Sequence, residues 1–167
     1  MNKIEIKSFN ECDWEQYRHI RLKALADSPK AFGSTLVEEL KLSPEDWKTR
    51  LHPLNGNSVL PLCAVKDDLH VGLAIGLIRR DDFKTGYIYQ MWVSKNYRGN
   101  GVGKKLLERI IVWSQENDIE KLILDVEVGN AAPIGLYSSF GFVASQELIP
   151  LRDGSNLMTQ QMILDII

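Results

Sequence analysis

Two glycines one residue apart, Gly101 and Gly103, stand where an apolar strand gives way to an amphipathic stretch, within Arg98-Gly99-Asn100-Gly101-Val102-Gly103-Lys104. Glycines clear side chains from the backbone, so successive N–H groups can converge on an anion. The dipole of the following helix favours negative charge at that same end. Arg98 and Lys104 add positive charge. The chemistry on offer is binding of a phosphate or diphosphate, and the spacing narrows which kind. A Walker A loop needs its first glycine five residues before a Gly-Lys pair and a Ser or Thr after it. Counting back from Gly103-Lys104 reaches Arg98, and Lys105 follows. A dinucleotide fingerprint running from Gly99 and Gly101 requires glycine at 104, which is lysine. A glycine-rich turn that only caps a surface helix is the competing reading of the same residues.

Positioning such a loop takes a strand before it and a helix after it. Tyr87 to Val93 (YIYQMWV) is rich in aromatic and β-branched residues and reads as that strand. Val102 to Glu116 reads as the helix, with Leu106, Leu107, Ile110, Ile111 and Trp113 inward. Upstream, Lys3 to Phe9 alternates as a half-buried strand. Glu11 to Ala26 carries one apolar face behind an Asn10 cap, and Ser28-Pro29 ends it. Thr35 to Leu42 reads as a short helix, and Ser43-Pro44-Glu45-Asp46 opens another. Leu54-Asn55-Gly56-Asn57 is a turn. Ser58 to Lys66 and His70 to Arg79 form two strands about a tight Asp67-Asp68 turn, with Gly72 and Gly76 marking a bulge or a close backbone approach. Downstream come a strand over Lys121 to Val128, apolar enough at its start for burial on both faces, and a short helix over Ala131 to Phe140. A hairpin follows, Phe142 to Leu151 with Leu157 to Ile166. The order is mixed α/β, read as one domain over residues 1–167.

Composition sets the outer bounds. Hydrophobic residues are 44% and charged residues 25%, the profile of a globular chain with its own core. A net charge of -2 argues against generic nucleic-acid binding. Lys3, Glu5 and Lys7 interrupt the first ten residues, so no signal peptide is expected there, and no run is long enough to span a membrane. Cys12 and Cys63 have neither metal-ligand spacing nor disulfide density, and a cytoplasmic protein with reduced thiols is the expectation. His19, His52 and His70 are scattered, and no metal site is expected.

Arg98-x-x-Gly101-x-Gly103 after a strand resembles motif A of the GCN5-related N-acetyltransferases. Asn130 through Leu136-Tyr137 to Gly141-Phe142 (NAAPIGLYSSFGF) resembles the same family's motif B. Arg21-Leu22-x-Ala24-Leu25 and Ser28-Pro29-x-Ala31-Phe32-Gly33 look similar to bacterial members. The resemblance covers essentially the whole chain, and it is what identifies the anion as coenzyme A. It implies a mixed central sheet of about six to seven strands flanked by helices, with a splayed pair of strands at the cofactor site. Main-chain groups of Met91, Trp92 and Val93 would then bind the pantetheine arm in the manner of an added strand. The N–H groups from Arg98 to Lys104 (Gly99, Asn100, Gly101, Val102 and Gly103 between them) would hold the pyrophosphate. Asn130 and Pro133 would border the arm, Asn130 being equally readable as a helix cap.

By the same resemblance, the Tyr137 hydroxyl would protonate the departing thiolate, the alternative being a core tyrosine tied to a backbone carbonyl. Acetyl would pass from acetyl-coenzyme A directly to a primary amine, the oxyanion resting on an N–H near Val93. Two departures stand out. Pro133 replaces a frequent alanine, which a first helical turn tolerates. Tyr87 stands where some members carry a glutamate as general base. Asp125 and Glu127, or Asp81 and Asp82, are the nearest acids, each readable as a surface acid, and no base is assigned. Asp27 to Trp47 and the terminal hairpin would shape the site for the acceptor, a small molecule, peptide or protein; Phe32, Glu38, Glu39 and Trp47 lie in the first, the two glutamates being either a lure for a cationic amine such as a polyamine, aminoglycoside or protein N-terminus or the solvent face of a helix. Homodimers are common among such proteins. A non-catalytic acyl-coenzyme A-binding module is the alternative function, favoured by the missing glutamate.

Overall fold

The computed structural model describes residues 3–53 and 55–166. Leu54, the first residue of the expected turn, lies outside them, as do Met1 and Asn2. The strands are β1 (Glu5–Ser8), β2 (Ser58–Lys66), β3 (Leu69–Arg79), β4 (Asp82–Val93), β5 (Lys121–Glu127), β6 (Val143–Pro150) and β7 (Met158–Asp165). The helices are α1 (Trp14–Asp27), α2 (Leu36–Glu39), α3 (Pro44–Leu51), α4 (Val102–Glu116) and α5 (Ala131–Ser139). The strands form one seven-stranded sheet in the order β1-β2-β3-β4-β5-β7-β6. All neighbours are antiparallel except β4 and β5, which run parallel.

Alternation along the strands divides the core into two layers. Leu60, Leu62 and Ala64 of β2 face α4, together with Leu122, Leu124 and Val126 of β5. Cys63 and Val65 of β2 and Leu73 and Ile75 of β3 face α1 and α3, where Tyr17, Ile20 and Trp47 are almost wholly buried. The α4 layer can sit close because β3 lacks side chains where it crosses. A Cβ on Gly72 would lie 2.8 Å from Val102 Cγ1, and one on Gly76 would lie 2.8 Å from a Trp113 ring carbon. Close helix approach is thus the physical reason for both glycines.

The expected helix at Thr35 to Leu42 is shorter than its pattern suggested. Only Leu36–Glu39 is helical, held by a capping box between Thr35 and Glu38. The Asp67-Asp68 turn has both residues at positive φ (52° and 62°), the backbone a two-residue hairpin demands.

Candidate active site

The site originates in one irregularity of β4. Leu73 of β3 pairs with Trp92 and Ile75 with Tyr89, so Gln90 and Met91 together oppose the single residue Ala74. This is a β-bulge, and Gln90 adopts φ 56° within it. The extra residue reverses the alternation of the strand. Ile88 before the bulge and Met91 and Val93 after it pack with the α4 layer, while Trp92 is delivered to the α1 layer.

A bulge also bends its strand, and β4 leaves its parallel neighbour accordingly. Pairing with β5 covers Thr85–Lys121, Gly86–Leu122 and Tyr87–Ile123 and then stops, although β4 continues to Val93 and β5 to Glu127. The wedge between them opens into a cleft of about 850 Å³, enough for a ligand arm and a second small group. Met91, Trp92, Val93, Arg98, Asn130, Pro133 and Tyr137 all line it, as do Asp125, Glu127, Gln90 and Phe32.

Gly99, Asn100, Gly101, Val102, Gly103 and Lys104 lie beyond the end of β4, outside the lining of the cleft, and lead into α4. None of their N–H groups reaches an acceptor among the described residues; the first recorded helical bond is Lys105 N–H to Gly101 O, 3.1 Å. A run of free donors at a helix N-terminus is an anion cradle. Gly99 and Gly101 hold φ 78°, the left-handed backbone that glycine adopts without strain. Gly103 serves packing instead, since a Cβ there would sit 3.1 Å from Leu136 Cδ2 on α5. Val102 is 1% exposed, so its side chain belongs to the core and only its main chain can face a ligand.

The charge expected from Arg98 is already spent within the protein. Its Nε donates to Val93 O at 2.9 Å, and Nη2 is ion-paired with Asp27 at the end of α1. Asp27 also accepts from Trp92 Nε1 at 2.9 Å and from Ser28 Oγ. These bonds hold the Asp27 carboxyl below the usual carboxylate range. The sequence carried no signal for this hub beyond a helix end at Ser28-Pro29.

Tyr137 is 5% exposed and packs on Phe142, with ring centroids 5.8 Å apart. Burial pushes its phenol well above the ordinary range, so it stays protonated at neutral pH. Its hydroxyl has no protein partner among the described residues, in contrast to the core tyrosine tied to a carbonyl. Asn130 is the cap residue of α5 by position, but its side chain makes no capping bond, so its carboxamide is free toward the cleft. Pro133 falls in the first turn of α5, as the sequence required.

Among the acids, Leu124 and Val126 facing α4 place Asp125 and Glu127 on the opposite face of β5. Desolvation at the cleft raises the Asp125 carboxyl above the usual range, and it has no ion pair among the described residues. Asp81 and Asp82 lie at the turn between β3 and β4, at the other end of β4 from the cleft, and cannot serve it. Tyr87 stacks on Tyr89 at 6.2 Å, with the Arg79 guanidinium 4.3 Å above its ring.

Two expected acceptor residues are withdrawn from that role. Glu39 is 2% exposed and is bonded by both Arg21 (2.9 Å) and Arg50 (3.0 Å), and Trp47 is fully buried. Glu38 is exposed and caps α2, while Phe32 lies under the Arg21 guanidinium at 4.5 Å and lines the cleft. Arg152, which the sequence did not single out, donates to the carbonyls of Pro29, Phe32 and Gly33. It straps the β6–β7 loop to the 28–34 segment across this side of the cleft.

Residues 13–142 match the model of the Acetyltransferase (GNAT) family. N-alpha-acetyltransferase 30 of Homo sapiens is 35% identical over 66 residues, 40% of this chain and 18% of that protein. The match to the first curated relatives thus spans well under half of their length. An acetyltransferase of the GNAT family from Streptococcus pneumoniae shares the fold, with a TM-score of 0.84 at 21% identity over 99% of this chain and 100% of that one. A Salmonella typhimurium protein solved with its cofactor acetyl-CoA has a TM-score of 0.76 at 19% identity, over 98% of this chain and 94% of that one.

Proposed function

The chain belongs to the GNAT acetyltransferase family, and from that premise we propose that it is an N-acetyltransferase that moves acetyl from acetyl-CoA directly to a primary amine. One observation carries the reading. The wedge between β4 and β5 brings a buried tyrosine whose hydroxyl has no protein partner among the described residues, Tyr137, and an exposed carboxylate without an ion pair among them, Asp125, onto one cleft. The structural neighbour solved with acetyl-CoA supports the donor, and the human relative, an N-alpha-acetyltransferase, supports an amine acceptor.

In this reading the free N–H groups from Gly99 to Lys104 hold the pyrophosphate. The unpaired edge of β4 from Ile88 to Val93 binds the pantetheine arm, Asn130 and Pro133 bordering it. Asp125 accepts a proton from the incoming ammonium. The free amine forms the C–N bond at the thioester carbonyl, whose oxygen is polarised by an N–H of the β4 edge near Val93. As the C–S bond breaks, Tyr137 donates its proton to the sulfur, and the second amine proton restores the phenol by way of solvent. Asp125 takes the place of the base that Tyr87 cannot supply. Thiol release from acetyl-CoA across a panel of amines tests the proposal. Turnover with formation of the acetylated amine supports it; tight acetyl-CoA binding without turnover would make the protein an acyl-CoA-binding module instead.

A further inference from the structure

Tyr89 stands where β4 leaves β5. The two strands pair as far as Tyr87 and Ile123; two residues further along each come Tyr89 and Asp125, on one face and across the mouth of the wedge. Both line the cleft. The Tyr87 and Tyr89 rings are 15° from parallel with centroids 6.2 Å apart, close to the rise of two strand residues, about 6.6 Å. The rings therefore stand side by side with their faces along the strand, and Tyr87 covers the Tyr89 face that points away from the bulge. In a regular strand residue 91 would cover the other face. The bulge sends Met91 to the α4 layer instead, and Gln90 is drawn aside to α1, its Oε1 accepting from the Tyr17 hydroxyl at 2.9 Å. One ring face is left open toward the cleft, and Tyr89 is 39% exposed. The ring is also fixed: Arg79 donates to its hydroxyl at 3.1 Å while the same guanidinium lies 4.3 Å over the Tyr87 ring.

We infer that Tyr89 is a stacking platform for the acceptor, and that the acceptor class is an aralkylamine: a primary amine on a short chain from an aromatic ring. This rests on the acetyltransferase reading and narrows its acceptor. The ammonium lies at Asp125, and the ring lies offset on the open face of Tyr89. The other group that a tyrosine face can hold is a second ammonium, and the charges around the cleft place it elsewhere. Arg79 binds the Tyr89 hydroxyl and covers Tyr87, which puts a full positive charge on the stack. Lys30, exposed on the 28–34 segment, lines the cleft without an ion pair among the described residues. Arg21 and Arg98 line it too, but Glu39 and Asp27 pair with them. Glu127 is the remaining acid for a second ammonium, and it lies two residues beyond Asp125 along β5, away from Tyr89. A diamine therefore leaves the Tyr89 face bare, whereas a neutral ring fills it.

The test is an NMR titration of the protein in excess coenzyme A with phenethylamine and, separately, with cyclohexylethylamine. The two share charge and chain length and differ little in bulk. Burial alone favours the cyclohexyl ring, which has more apolar surface; stacking favours phenyl. The phenyl compound should bind about three- to tenfold tighter, the worth of one offset aromatic pair. Tyr89→Leu should bring the ratio to one or below. Tyr89→Phe, which keeps the ring without the Arg79 bond, should retain the preference. Putrescine should bind wild type and Tyr89→Leu equally. The inference is overturned by a wild-type ratio at or below one, by a preference that survives Tyr89→Leu or is lost in Tyr89→Phe, or by a diamine that needs the ring. Because binding is read separately from turnover, a protein that prefers the phenyl compound yet releases no thiol contradicts the acetyltransferase reading and leaves the platform standing.

Discussion

Trp92 Nε1 donates to the Asp27 carboxylate at 2.9 Å, joining residues 65 apart in sequence. The indole reaches α1 only because the bulge at Gln90 and Met91 moves Trp92 to that face of the sheet. The same carboxylate fixes Arg98, so one acid ties the end of α1 to the strand and loop proposed to hold acetyl-CoA. Asp27→Asn replaces a charged acceptor with a neutral one and should cost about 1–2 kcal/mol of unfolding free energy at pH 7. Because the folded pKa lies below its ordinary value of 3.8, this stability is fully present above that value and is lost as pH falls through the folded pKa. Urea unfolding between pH 2 and 7 checks it: wild type and variant should converge at the acid end.

Glu39 balances two guanidiniums in the interior. Glu39→Gln leaves both bonded to a neutral group, and loss of a partner from a buried charge cluster costs about 3–5 kcal/mol. The prediction is a large fall in the unfolding midpoint at neutral pH. An unchanged midpoint would mean that the cluster is solvated in solution.

The glycines divide into two kinds, and substitution separates them. Gly72→Ala forces a methyl against Val102 and should destabilise the protein by about 1–3 kcal/mol while leaving the KM for acetyl-CoA unchanged. Gly101→Ala meets nothing within 4 Å but must hold φ 78°, a strain of about 1–2 kcal/mol, and its methyl stands in the loop proposed to hold the pyrophosphate. Here the KM for acetyl-CoA should rise. Thermal unfolding together with steady-state kinetics on both variants checks the division.

Asp125 is held against its chemistry. Its raised carboxyl pKa means that ionising it costs more in the folded protein than in the unfolded chain, so stability falls as pH rises from the ordinary value through the folded one, and the loss persists above. Asp125→Asn should therefore unfold no earlier than wild type at pH 7 while losing about a hundredfold or more in kcat/KM. The acid limb of the pH–rate profile should disappear with it. A normal rate would show that another group, or water alone, takes the amine proton.

Much of this was legible because it is local. The place of the glycine loop between a strand and a helix and the bounds of α4 follow from residue types within a few positions, and the two inner strands show their hairpin turn directly. The β4 bulge was not legible: Gln90 is neither glycine nor proline, and only the α1 layer's demand for Trp92 sets the strand's phase. Arg98 looked like a free cation because its partner, Asp27, is distant in sequence. Glu39 looked like surface because nothing local announces that Arg21 and Arg50 meet there. The insertion of β7 between β5 and β6 likewise depends on long-range pairing, which a hairpin pattern does not disclose.

Protonation of the leaving thiolate by Tyr137 in a direct acetyl transfer is tested by thiol release in single turnovers of wild type and Tyr137→Phe with a primary amine that wild type acetylates. Wild type should release one thiol per acetylated amine, and the variant should be about 10²–10⁴-fold slower with acetyl-CoA affinity within a few-fold of wild type. Equal rates at every pH, or no thiol release by a wild-type protein that binds acetyl-CoA tightly, would contradict it.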